Sequence, residues 1–193
     1  MRRARFATIA LLILTAGTPL AASGQVRADS TLLAAQREAM ARFAFLDGGW
    51  RGMASTILPS GEKHVVTQTE RIGPFLGGTV KVIEGRGYDE NGAVAFNAFG
   101  IISYKPKERL YTMRSYAQGL VGDFILTPRP DGYMWEIPAG PATLRYTAVI
   151  KGGAWLEIGE RLEPGRDPVR VFEMHLTRLG DTTWPEAGAV KPE

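Results

Sequence analysis

Between Gly49 and Arg178, turn chemistry cuts the chain into short alternating segments, and this rhythm limits the possible folds more than any other feature. About ten segments rich in Val, Thr, Ile, Tyr and Phe run roughly over 49–58, 62–72, 78–88, 93–104, 109–117, 120–127, 132–138, 141–150, 154–163 and 168–178. Between them lie PSGEK, FLGG, DENG, YKPKE, AQG, PRPDG, AGP, KGG and EPGRDP, all combinations that favour tight turns. A parallel crossover needs a dozen or more residues, so connections this short predict an antiparallel meander. A long meander has two unpaired edges, and closing it into a barrel removes them. The sequence therefore predicts an all-β, antiparallel up-and-down barrel of about ten strands, with a two-sheet sandwich as the alternative.

The residues before the first segment are of a different kind. MRRARFATIALLILTAGTPLAASG places Arg2, Arg3 and Arg5 ahead of an apolar run from Phe6 to Ala16, followed by a Pro and small residues. This is the layout of a secretory signal peptide over residues 1–24, and cleavage after Ala22, Ser23 or Ala28 suits it. No second apolar stretch of membrane-spanning length, about 18 residues, follows. The expectation is a soluble periplasmic or secreted protein with no membrane span once the leader is removed. Removal also takes three of the 23 basic residues and none of the 20 acidic ones, so the formal charge falls from +3 to about zero. The basic whole chain is then a property of its leader, and a nucleic-acid partner is not expected. With no Cys, a disulfide framework, a lipidated Cys, a zinc–thiolate centre and a Cys nucleophile are all excluded. Residues 29–46 read as one amphipathic helix, capped by Asp29 or Ser30, that covers an end of the barrel. The barrel domain is expected over 47–180, and 181–193 lack periodicity and read as a flexible tail.

The stretches FLDGGWRG, ERIGPFLGGTVKV, GRGYDENGAVAFNAFGIISYKPKERLYTMRSY and VFEMHLTRL resemble a family of exported calycin-like barrels of unassigned function. Its members open with a Gly-x-Trp-x-Gly strand after a short helix, pass through a Gly-Tyr-Asp turn, and end on a strand with a Thr-Arg pair. The first motif also opens lipocalins, fatty-acid-binding proteins and the haem-binding nitrobindins. The resemblance covers most of residues 40–180 and implies a fold, not a reaction. It also implies that Trp50 packs across the closed end. Gly49 and Gly52 would let the first strand bend and a neighbouring backbone come close.

Catalytic signatures are scarce: there is no phosphate loop, no His-Glu-x-x-His, no Gly-x-Ser-x-Gly and no EF-hand pattern. His175 lies where the nitrobindin-type barrels carry a haem ligand. Period two puts it on the face of Val171, Glu173 and Thr177, and a carboxylate is a poor neighbour for buried haem. The expectation is a His paired with an acid, and no metal, haem or other cofactor. In RLYTMRSYAQ, Leu110, Thr112, Arg114, Tyr116 and Gln118 share one face, with Tyr111, Met113, Ser115 and Ala117 on the other. Arg114 and Tyr116 inside the barrel would hold a carboxylate headgroup. On the exterior, Arg114 would pair with Glu70 or Glu136. In the preceding segment Phe96, Ala98, Ile102 and Tyr104 share a face.

These residues support three kinds of function. The first is a binding barrel for a small apolar or amphipathic molecule, with Arg114, Tyr116, Trp50, Tyr104 and His175 as candidate ligand contacts and no catalytic residue. The second is a structural or partner-binding envelope module with a filled core. The third is an enzyme that moves a proton between cavity side chains, which interior carboxylates of strongly raised pKa would favour.

Overall fold

A computed structural model describes residues 29–186. The proposed leader lies outside the described residues. One α-helix, α1 (Ser30–Ala41), leads through a 3-10 turn (Ala44–Leu46) into ten strands: β1 (Gly48–Ile57), β2 (Lys63–Phe75), β3 (Val80–Tyr88), β4 (Val94–Lys105), β5 (Leu110–Ala117), β6 (Leu120–Arg129), β7 (Gly132–Ala139), β8 (Ala142–Lys151), β9 (Ala154–Leu162) and β10 (Val169–Gly180). Each strand pairs antiparallel with the next, and β1 also pairs with β10, with Trp50 opposite Arg178 and Met53 opposite His175. The sheet is a closed up-and-down barrel, so it has no edge strand. The sandwich alternative is set aside.

The helix is shorter than the 29–46 expected from the sequence. Asp29 caps α1, its Oδ1 accepting from the Thr31 amide at 2.9 Å and the Leu32 amide at 3.2 Å. The α-helical path ends near Arg42, and the 3-10 turn that follows carries Phe43 and Leu46 to full burial. Further burial rewards the break: Met40, Trp50, Ile72, Ile102 and Leu126 join the same core. α1 is tied over this end by Gln36 Nε2 donating to the Tyr104 carbonyl at 3.4 Å and Arg37 Nε donating to the Gly77 carbonyl at 2.9 Å. Around it, Lys81 pairs with Asp47, and Arg178 donates to the Asp47 carbonyl at 2.9 and 3.2 Å while also pairing with Asp181.

The opposite end of the barrel is formed by the turns between β1 and β2, β3 and β4, β5 and β6, β7 and β8, and β9 and β10. Of the segment expected to be loose, residues 181–186 lie along the outside. The Trp184 ring meets Phe99 edge-on at 6.5 Å and sits 4.7 Å from the Arg71 guanidinium, and its carbonyl lies against Gly73.

Candidate functional site

Period two and the barrel's registers decide which side chains enter the lumen. Trp50 is 1% exposed, so its face of β1 points inward, and Glu70, its direct partner on β2, points inward as well. Gln68 and Val66 share that face. On the far side, Trp155 and Glu157 enter from β9, opposite the inward Leu176 and Met174 of β10 and the inward Ile150 and Ala148 of β8. β7 adds Tyr133 and Trp135, and β8 adds Tyr146.

These side chains form three levels. At the plugged end Trp50 donates its Nε1 hydrogen to the Leu46 carbonyl at 2.8 Å and packs edge-on against Trp155 at 5.6 Å. Above it lies a polar level. Glu157 accepts from the Tyr133 hydroxyl at 2.8 Å and from Trp135 Nε1 at 3.1 Å, and Glu70 accepts from Gln68 Nε2 at 2.6 Å. Glu70 folds over Gly85, where a Cβ would stand 2.6 Å from its Oε1. The third level, toward the open turns, is an aromatic arc. Phe124 lies 5.1 Å from Trp135, which stacks on Tyr146 at 4.6 Å and 17°, and Tyr146 lies 5.6 Å from Phe172.

Two lumenal carboxyls, Glu157 buried and Glu70 half-buried, differ in their hydrogen-bond support. Burial pushes the Glu70 carboxyl up to about 8; the Gln68 bond opposes this, and the charges of Glu157 and Glu84 add to it. At pH 7 Glu70 is therefore mostly an uncharged acid. Burial raises Glu157 too, against the donors of Trp135 and Tyr133 and the nearby Trp155 N–H, which falls short of a formed hydrogen bond. Tyr133 is held well above the usual phenol range by burial and by the neighbouring Glu157 carboxylate. The lumen at this level thus offers an uncharged acid, Glu70, facing a second carboxyl, Glu157, that accepts from Tyr133 and Trp135.

Part of this level stays accessible to solvent. Glu70 is enclosed by the wall but only half-buried, as are the inward Trp135, Tyr146, Phe124 and Phe172. Gly100 on β4 is buried, yet an added Cβ would meet nothing closer than Ile83 at 3.8 Å. Trp155 is 3% exposed, and its Nε1 faces Glu157 and Tyr133 without a hydrogen-bonding partner. Partly accessible aromatic faces, an unused donor and a neutral acid in one lumen suit a small molecule with an apolar body.

The residues expected as ligand contacts separate. Trp50 and Tyr104 face inward, Trp50 as the floor and Tyr104 against Tyr111 at 4.7 Å under the helix. The expectation that Arg114 and Tyr116 line the lumen is corrected. Arg114 is 52% exposed, and on the outer wall its Nε donates to the Tyr116 hydroxyl at 3.0 Å while it pairs with Asp123 at 3.3 Å. The inward face of β5 is the one carrying Met113, because Met113 opposes the buried Ile102 of β4. Its partner is also neither Glu70 nor Glu136, since Glu70 is in the lumen and Glu136 pairs with Arg145. His175 is 63% exposed and bonded to Glu173 at 2.7 Å on the outside, away from the lumen. Tyr116 instead borders an outer groove of about 380 Å³ with Phe99, Leu120 and Val121. Among the described residues no group of three or more His, Cys, Asp and Glu is disposed to hold a metal ion.

Sequence reasoning missed Glu157, Tyr133, Trp135, Tyr146 and Trp155. The alternation in AWLEIG already places Trp155, Glu157 and Gly159 on one face, and a large aromatic beside an acid on an inward face was the available signal.

No protein-family model matches the chain, and no curated protein matches its sequence. Among solved structures it is similar to Rv2717c from M. tuberculosis, with a TM-score of 0.55 at 12% identity over 72% of this chain and 96% of that one. It is also similar to the S-type phycobiliprotein lyase CPES from Guillardia theta, with a TM-score of 0.51 at 12% identity over 78% of this chain and 98% of that one. At this identity the likeness is one of fold, and with the closed ten-strand topology it fits a calycin-like barrel.

Proposed function

We propose that this is an exported barrel that binds one small apolar or amphipathic molecule in its lumen, with the molecule's body against the Trp135–Tyr146 stack and its polar end toward Glu70 and Glu157. The observation that carries this reading is the set of inward-facing aromatic side chains left half-buried above an enclosed polar level. A barrel whose core served only to fill it would bury them. The leader-like N-terminus supports export. Titration with the neutral fluorophore N-phenyl-1-naphthylamine tests the reading. Saturable binding is expected, and Gly100→Leu, whose Cβ would stand in ordinary contact with Ile83 at 3.8 Å and whose longer side chain enters the lumen, should weaken it at least about tenfold while the variant still melts cooperatively. Fluorophore binding that ignores Gly100→Leu would place the site elsewhere.

A second reading, proton-transfer catalysis, draws support from one feature: an uncharged Glu70 shares the lumen with a second carboxyl, Glu157, held by two hydrogen-bond donors. It predicts chemical change of the bound molecule that Glu70→Gln abolishes, whereas the binding reading predicts its recovery intact.

A further inference from the structure

The outer wall of β5 gives no anionic-ligand site, and the chemistry of the inner one points elsewhere. This argument rests on the binding reading above and concerns the polar end of the molecule. Of the cations on the inward faces, Lys81 and Arg178 sit at the plugged end and are committed to Asp47 and Asp181, and Arg161, two residues beyond Gly159 at the rim of β9, is paired with Glu163 at 3.3 Å. At the polar level the facing groups are Glu70 and Gln68 from β2, Glu157 and Trp155 from β9, and Tyr133 and Trp135 from β7. A carboxylate placed there would meet two acids and no compensating cation, a costly arrangement in an enclosed site. An ammonium would satisfy the carboxyls but has no lone pair to accept the Trp155 hydrogen. That donor is nine-tenths buried and unpartnered, and leaving it so costs about 1–3 kcal/mol. Glu157 already receives two donors, whereas Glu70 receives one, from Gln68.

We propose that the polar end is an uncharged hydroxyl on an apolar body, accepting from Trp155 Nε1 and donating to the Glu70–Glu157 pair. A hydroxyl both accepts and donates, so it completes both unfilled positions without bringing a charge into the lumen. Because Glu70 is mostly an acid at pH 7, it can exchange donor and acceptor roles with such a group. Gly85, by leaving room for Glu70 to turn toward the lumen, is part of the same arrangement.

Isothermal titration of the purified full chain at pH 7 with four probes of one body tests this: naphthalene, 1-naphthalenemethanol, 1-naphthalenemethylamine and 1-naphthoate. The alcohol is expected to bind at least about tenfold tighter than the other three, a difference of about 1.4 kcal/mol. Trp155→Phe, which keeps the ring packing of Trp50, should erase that advantage while naphthalene binds as before; the naphthalene result also shows that the variant's lumen is formed. Tightest binding by the amine or the naphthoate, or an alcohol preference that survives Trp155→Phe, would overturn the hydroxyl assignment and leave the binding reading standing. Binding of none of the four would overturn both.

Discussion

At the scale of single residues, Glu70 carries the clearest energetic signature. Its folded pKa lies near 8 against an ordinary 4.5, so between these values the folded state holds a proton that the unfolded state has released. Stability from this group is full below about pH 4.5 and is lost as pH rises through about 8. Glu70→Gln cannot ionise and should flatten that loss. Urea melts at pH 5 and pH 9 should show the variant gaining on the wild type by a few kcal/mol at the higher pH, where a shift of this size acts in full. An unchanged difference between the two pH values would mean that Glu70 is solvated. Trp50 makes a second residue-scale case: it is 1% exposed, bonded to the Leu46 carbonyl and packed on Trp155, so Trp50→Ala should cost roughly 3–5 kcal/mol in chemical denaturation. The fate of Trp50 was legible in the sequence, since a lone Trp among glycines at a strand start needs a core. The fate of Arg114 was not. Leu110, Thr112 and Tyr116 mix apolar and polar groups on one face, as do the residues opposite, and only the pairing of Met113 with buried Ile102 resolves the inward side.

At the scale of elements, strand limits followed closely from turn residues, because Gly, Pro, Asn and Asp mark the points where the backbone must reverse. The helix limit did not, since α1 stops early to let Phe43 and Leu46 enter the barrel end, a tertiary gain that local periodicity does not express. The glycines of β1 separate into two kinds. A Cβ on Gly52 would stand 1.9 Å from the His175 carbonyl oxygen of β10, whereas one on Gly49 would meet only Leu179 at 3.9 Å. Gly52→Ala must therefore push β1 from β10 at the closure of the barrel and should destabilise by about 2–3 kcal/mol. Gly49→Ala should remain within about 1 kcal/mol of the wild type. Thermal melts of the two variants side by side check this, and equal melting would mean that β10 yields freely at His175.

At the scale of the whole molecule, the closed antiparallel barrel was legible because ten short segments with tight turns leave few other arrangements. The site was not, because it is assembled from β2, β7, β8 and β9, and no local motif spans strands so far apart in the chain. Only closure brings Glu70 within electrostatic range of Glu157. The same closure separates two apolar surfaces, the lumenal arc and the outer groove beside Phe99 and Tyr116, and a small apolar molecule has to choose between them. A crystal structure of the protein grown with 1-naphthalenemethanol tests that choice directly. The account predicts the naphthyl group inside the barrel against Trp135 and Tyr146, with its oxygen within hydrogen-bond distance of Trp155 Nε1. An empty lumen with the probe seated in the groove of Phe99, Tyr116, Leu120 and Val121 would contradict it.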